Sequence, residues 1–357
     1  MSRLDSALSA LSLLRQRRPI EAKQHLEQGL ATCPDSSPSD RQRLLRMSFD
    51  IHALLGDWTR AFADLDRAYR LSWPANAEPA LWQGERLSKP LVVVANAMGD
   101  VIGLHILGGF GDTFLFARYL RSLSDRAGVE VILAVPAYMC KPLSRLFRQL
   151  VDISVVGSHE LPDAGAWFPL ELAPVYGNEP LFSDSVPTPR ASTGLRVAVC
   201  WAGALRDRTG EQRTVPIDAW APLFAVPDIE FVSVQQRRNV PSLWRALGVP
   251  YEPGIPPAGI QDLGPTLQDW NATADLLSAV DLVISSDTAV AHLAGLLRRP
   301  LWLLLHQDAG VFWEFGSRTR WYPRARLFRQ ARLGDWAPMM RQLADELRGR
   351  DPSRPLV

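Results

Sequence analysis

Three stretches of the chain carry residue types that could do chemistry together. The first runs Ser285-Ser-Asp-Thr-Ala-Val-Ala-His-Leu-Ala-Gly295, between an apolar run ending at Ile284 and a second from Pro300 to Leu305. A helix starting at Asp287 or Thr288 would point free first-turn amides outward, and such a start attracts phosphate. Plain helix capping would use the same residues. Asp287 is itself negative, so it suits sugar or ribose hydroxyls better than phosphate. His292 follows Thr288 by one helical turn on the same face. It reads either as a ligand-facing group or as a packed, hydrogen-bonded histidine. No second His or Cys stands beside it at metal-ligand spacing.

The second stretch is Leu104-His-Ile-Leu-Gly-Gly-Phe-Gly-Asp-Thr113. Gly108, Gly109 and Gly111 let backbone approach a ligand closely, and Asp112 projects at a helix start. A dinucleotide fingerprint needs a further glycine where Phe114 stands, which argues against a nicotinamide-dependent oxidoreductase. The third stretch, Val199 to Ile217, reads as a strand followed by a polar loop with Arg206, Arg208 and Arg213. A guanidinium pairs well with phosphate oxygens, and Arg213, just before the next helix, is the best placed to neutralise a diphosphate.

The elements that must position these residues follow from pattern. Residues 1–75 are helical in spacing, with Leu4, Leu8, Leu11 and Leu14, then Leu44, Ile51, Leu54 and Leu55. Ala22, Leu26 and Gly29 recur as Ala61, Leu65 and Ala68 at a constant offset of 39 residues. Such a unit resembles a tetratricopeptide repeat, whose period of ~34 is lengthened here by a Pro/Ser-rich turn. An ordinary helical hairpin fits the same residues. Pro74 to Pro90 reads as a linker. Strands are expected at 91–95, 103–107, 129–135 and 151–156, with a helix over 113–124. After a Pro/Ser/Thr-rich linker at 177–194, strands are expected at 195–201, 229–235, 281–285 and 301–305. Helices are expected at 217–224, 271–279, 288–297 and 336–348. This alternation predicts parallel sheets flanked by helices, which bind ligands at the carboxyl ends of their strands.

Composition narrows the partners. The 357-residue chain carries a net charge of +1 and is 47% apolar, which supports real cores and gives no electrostatic case for nucleic acid. The stretch from Ser317 to Arg332 holds six arginines with Trp321, Tyr322 and Phe328 interleaved, and reads as structural or acceptor-facing. Cys33, Cys140 and Cys200 are far apart and fit a reducing compartment. No uninterrupted apolar segment of signal-peptide or membrane-spanning type is read, so a cytoplasmic location is expected.

Taken in order, Trp82-Gln-Gly-Glu, GGFGDTFLFARYL, CWAG with RTVPI, FVSVQ, AVDLVISSDTAVAHLAGLLRRPLWLLL and WYPRARLFRQ resemble the heptosyltransferase-like glycosyltransferases of family nine. The resemblance covers residues from about 80 to 335, and is best to a variant carrying tetratricopeptide repeats. It implies a GT-B fold of two Rossmann-like doubly wound domains. The corresponding division is a helical tetratricopeptide-like domain at 1–75, an acceptor domain at 76–190, a nucleotide-sugar domain at 191–345 and a tail at 346–357. It also implies inversion at the anomeric carbon, no essential metal or cofactor, and a nucleotide-sugar donor. By match, Asp112 takes the place of the catalytic base. Gly109, Gly111, Gly203, Arg213, Asp287, Thr288 and His292 fall in donor-binding motifs, and Gln235 and Gln268 match near the nucleotide more loosely. Two departures stand out. Asn96-Ala-Met-Gly-Asp100 offers a competing base, though the residues after Asp112 match the family better. His306-Gln-Asp308 replaces the usual proline-containing turn. The acceptor is a protein or a glycan. A catalytically inactive scaffold that binds a protein through its helices is the alternative.

Overall fold

The computed structural model describes residues 9–10, 12–14, 18–33, 38–73, 77–78, 80–95, 109–157, 161–177, 194–203, 208–236, 255–313, 315–351 and 356. The chain packs as two compact units. One comprises Met1–Gly108, Phe116–Leu181 and Gly310–Phe315; the other comprises Gly109–Leu115, Phe182–Ala309 and Gly316–Val357.

The first unit opens with helices α1 (Pro19–Thr32), α2 (Pro38–Leu54) and α3 (Trp58–Ser72). The recurring residues Ala22, Leu26 and Gly29, and Ala61, Leu65 and Ala68, are all buried. Small side chains there let the helices pack closely. A polar link joins α2 to α3: Ser48 Oγ donates to Asp64 Oδ2 at 2.6 Å, and His52 Nδ1 lies 3.0 Å from the same oxygen. Strand β1 (Leu91–Val94) follows, then α4 (Phe110–Ala117), whose start belongs to the second unit. Next come α5 (Leu120–Ala127), β2 (Val131–Val135), α6 (Ala137–Val151), β3 (Ser154–Gly157) and β4 (Ala166–Pro169). These strands form a parallel sheet in the order β3-β2-β1-β4. Being covered on both faces, β1 and β2 are apolar throughout rather than alternating.

The second unit carries β5 (Leu195–Cys200), α7 (Arg208–Arg213), β6 (Ile229–Ser233), β7 (Gln261–Asp262) and α8 (Trp270–Ser278). It continues with β8 (Leu282–Ser286), α9 (Ala289–Leu296), β9 (Leu301–Leu305), β10 (Ala325–Arg329) and α10 (Ala337–Arg348). All strands are parallel, in the order β10-β9-β8-β5-β6-β7. One face of the sheet, with Val199, Ile284, Trp302, Leu304 and Phe328, packs into a core with Met340, Leu343 and Leu347 of α10. The chain runs outward from β5 in one direction, then returns to place β8 on its other side. The reversal makes the carboxyl ends of β5 and β8 a topological switch point, the place where open parallel sheets bind ligands.

Several expectations need correction. The helix expected over 113–124 is two helices, because the Tyr119 amide bonds the Phe116 carbonyl three residues back and closes the first. The strand expected at 151–156 begins at Ser154, since α6 runs to Val151 and Asp152 takes a left-handed conformation. The segment 74–90 is more than a linker: Leu81 bridges Trp167, and Trp82 is fully buried against Phe168 and Tyr176. Helix 217–224 starts as a 3-10 turn, Ile217–Trp220. Strands β4 and β10 and helix α6 lack a counterpart in the sequence reading. The strand expected at 103–107 and the competing Asp100 lie outside the described residues. Among the described residues, no helix is long and apolar enough to cross a membrane.

One titrating group in α2 has a stability consequence. Burial pushes the Asp50 carboxyl up to about 6, against a smaller opposing pull from Arg46. A raised carboxyl pKa means the native state is favoured most below the unfolded value near 4 and loses that contribution as pH rises through 6. Asp50→Asn should therefore stabilise the protein at neutral pH by about 1–3 kcal/mol. Thermal melts of both proteins between about pH 4 and 8 should converge at the acid end; a variant melting lower at neutral pH would refute the account.

Candidate functional site

The site is built at the carboxyl edge of the second unit's sheet, where β5 and β8 diverge. Beyond β5, Trp201, Ala202 and Gly203 are held by Gln235. Its Oε1 accepts from the Trp201 and Ala202 amides at 3.0 and 2.9 Å, and its Nε2 donates to the Ala202 carbonyl at 2.9 Å. Gln235 thus spends its amide on backbone and fixes the exit of β5, a positioning role. Gly203 lies beside the turn after β8: a Cβ there would sit 3.6 Å from Thr288 Cγ2.

From β8 the chain passes through Asp287 and Thr288 into α9. Thr288 occupies the cap position with extended backbone, yet its side chain makes no cap hydrogen bond. Its hydroxyl instead meets Ser285 Oγ at 3.0 Å and Cys200 Sγ at 3.8 Å, inside the sheet. Thr288 therefore leaves the first-turn amides of α9 without a cap from its own side chain, at the positive end of the helix. Thr288 does not act as the side-chain cap in this geometry. Burial raises the Cys200 thiol to about 11, so it is an inert packing group rather than a nucleophile.

His292, 7% exposed, has both ring nitrogens engaged. Nδ1 lies 2.8 Å from the Tyr322 hydroxyl, and Nε2 lies 3.6 Å from Asp287 Oδ1. The histidine is therefore packed and hydrogen-bonded, and its effect at the site is to hold Asp287. Two glycines make room for this chain of contacts. A Cβ at Gly295 would run into the Tyr322 ring, and one at Gly111 would lie 2.9 Å from His292 Cδ2.

Gly111 brings Asp112 to this edge. Asp112 is the third residue of α4, and its Oδ2 accepts the Gly109 amide at 3.1 Å, the carboxylate half of a capping box. Among the described residues its second oxygen has no hydrogen-bond donor. The carboxyl sits deep but keeps partial exposure. Burial raises its pKa above the usual carboxylate range, opposed by the Gly109 hydrogen bond and His292; Asp287 adds to the rise and Arg213 opposes it. The result is a carboxylate with one oxygen held and a raised proton affinity.

Arg213 closes α7, and its Nε has no partner among the described residues. His306, just past β9, is buried with Nδ1 likewise unpartnered. Gln268 is exposed and precedes Asp269, which caps α8 through the Ala272 amide at 2.8 Å. The structure thus brings Gly109, Gly111, Asp112, Gly203, Arg213, Asp287, Thr288 and His292 to one edge, with Gln235 beneath it. Gly108, Arg206 and the Arg208 side chain lie outside the described residues. Among the described residues, no group of three or more His, Cys, Asp or Glu could hold a metal ion. Sequence reasoning did not single out Tyr322 as a site residue, although it lies in the aromatic and arginine-rich stretch and in the motif WYPRARLFRQ. Ser286 and Gln330, also buried at this edge, lay inside stretches the sequence reading quoted but were not singled out as site residues.

Gly295→Ala should displace Tyr322 and release His292. The expected cost is about 1–3 kcal/mol of stability, as for other overpacked cores. A denaturant melt checks this, and an unchanged midpoint would contradict the close packing.

No protein-family model matches the chain. Protein FlbA of Caulobacter vibrioides is 30% identical over 159 residues, covering 43% of this chain; the match spans 25% of FlbA, about a quarter of that relative's length. The ADP-heptose lipopolysaccharide heptosyltransferase II of Escherichia coli overlays with a TM-score of 0.44 at 13% identity, over 72% of this chain and 97% of the other. A glycosyl transferase family 9 structure from Veillonella parvula overlays at 0.40 and 10% identity, over 69% and 87%. The structural likeness is partial in both cases.

Proposed function

We propose that the protein is a glycosyltransferase that moves a sugar from a nucleotide-sugar donor to an acceptor hydroxyl, with inversion and without an essential metal. The observation that carries this reading is Asp112: a deep carboxylate with one oxygen anchored and the other without a donor among the described residues, near the start of α9 and Arg213. The donor diphosphate would rest against the first turn of α9, and Asp287 would accept from the sugar's hydroxyls. Asp112 would take the acceptor's proton as its oxygen attacks the anomeric carbon from the face opposite the leaving nucleotide. Burial raises the proton affinity that a base needs. Arg213 and the α9 amides would stabilise charge developing on the diphosphate. Gln235 and His292 would act through the groups they hold. In this reading α1 to α3 are tetratricopeptide-like and recruit a protein acceptor.

The first test is thermal melting against ADP, GDP, UDP, CDP and dTDP without added metal. Ligand at a hundred times its dissociation constant should add about 2.7 kcal/mol. No shift with any of the five would overturn the reading. Asp112→Asn should then keep nucleotide binding, because the amide oxygen can still accept from Gly109, while transfer falls about 100- to 10,000-fold. The wild-type rate should fall with pH as Asp112 protonates, in a range above that of an ordinary carboxylate. Unchanged turnover in the variant would remove Asp112 from the role.

A further inference from the structure

Three neighbouring strands of the second unit end in buried polar side chains with an unpartnered atom. Among the described residues, Ser286 Oγ at the end of β8, His306 Nδ1 past β9 and Gln330 Nε2 past β10 make no hydrogen bond, and none of these residues is more than 3% exposed. Ser286 pairs with Leu304, and Phe328 pairs with the same residue from the other side. His306 and Gln330 each lie two residues further on, so all three belong to one face of the sheet. The Gln330 amide donates to the Leu305 carbonyl at 2.9 Å, so the pairing persists to that point.

His306 is the ionisable member of the three. The charged groups around it are Asp287 from the turn after β8, Asp308 on its own turn, Arg213 at the end of α7 and Arg329 on β10. Two acids face two bases, so their effects offset one another. Burial decides the balance and holds the imidazole below its usual range. A fixed cation buried in that position would lack a counter-charge in the unliganded protein, which is costly. A histidine can enter neutral and gain its charge only when an anion arrives.

We propose that His306 is a proton-coupled ligand for the donor diphosphate, taking up one proton through its ring as the diphosphate docks at the start of α9. The inference rests on the sugar-transfer reading above. A dianionic neighbour favours the imidazolium, so the ring's pKa rises on binding and the proton comes from solvent. During transfer the bond between the anomeric carbon and the diphosphate oxygen breaks, and the electron pair stays on that oxygen. The acceptor's proton goes to Asp112, and the His306 imidazolium faces the added charge on the leaving diphosphate. Binding of the nucleoside diphosphate product should therefore take up the proton most completely.

The test is calorimetry of whichever of the five nucleoside diphosphates shifts the melt most, at about pH 7, in Tris and in PIPES. Their different ionisation heats report the protons exchanged. The terminal phosphate titrates in the same range, so the quantity read is the difference between wild type and His306→Gln. Wild type should take up about one proton more, and its affinity relative to the variant should rise by up to about tenfold per unit as pH falls from about 8 to 7. Equal uptake in both proteins, with nucleotide bound by each, overturns the role of His306 and leaves sugar transfer standing. Absence of nucleotide binding to wild type overturns both. If His306→Gln does not fold, His306→Asn replaces it; a wild-type affinity that does not strengthen relative to the variant towards acid pH also overturns the proposal.

Discussion

The carboxyl edge of the second sheet depends on one ring. His292 stands between Tyr322 and Asp287, with Gly111 against its face, so three chain segments distant in sequence meet on a single imidazole. Nδ1 is taken by the Tyr322 hydroxyl, Nε2 faces Asp287, and the side chain is nearly dry. Because the ring is fixed on both sides, Asp287 is fixed too. The loop that presents Asp112 can approach only as closely as a glycine allows. Gly295 extends the same logic below the ring, since Tyr322 reaches His292 only over a residue without a side chain. Interiors are packed tightly enough that each of these close approaches constrains the next.

Much of this architecture was legible in the sequence. The runs at Leu91, Leu195, Leu282 and Leu301 are apolar without alternation, as strands covered on both faces must be, and the helices between them follow a regular spacing. Ser285 to Gly295 was readable as strand, turn and helix because the residue classes change sharply at each boundary. The short strands were not legible. Strand β10 is written in arginines, and its meaning is tertiary: Arg326 pairs with Glu346 of α10 and lies over the Phe328 ring. The break after Ala117 was hidden because both helices keep the same apolar face. Tyr322 was invisible as a site residue because its contact with His292 spans thirty positions of chain, and no local pattern encodes it.

The residues at the edge divide by how their polar atoms are used. Gln235 is satisfied on both ends of its amide and Thr288 turns its hydroxyl inward to Ser285, so both belong to the scaffold that holds the turns. Ser286, His306, Gln330 and the Arg213 Nε are buried or nearly so, and unsatisfied among the described residues. Native interiors rarely leave such groups unpaired, because each carries the full desolvation cost of a missing partner. Three at the strand ends and one at the close of α7 are groups that a polar, anionic ligand would compensate. The fully bonded residues preorganise the site, and the unbonded ones are where a ligand has something to offer.

Asp112 combines both kinds of use in one side chain. Its Oδ2 accepts the Gly109 amide, the carboxylate half of a capping box, which ties the carboxylate to the helix start and restricts its rotation. The other oxygen keeps its lone pairs, and burial raises the affinity of the group for a proton while the Gly109 hydrogen bond restrains the rise. A capping carboxylate at an exposed helix start would have the geometry but ordinary basicity. A buried carboxylate without the cap would be basic but free to rotate. The short glycine-rich approach to α4 supplies both conditions together, because it lets the first turn of the helix lie against His292 while keeping the carboxylate at the helix's own N-terminus.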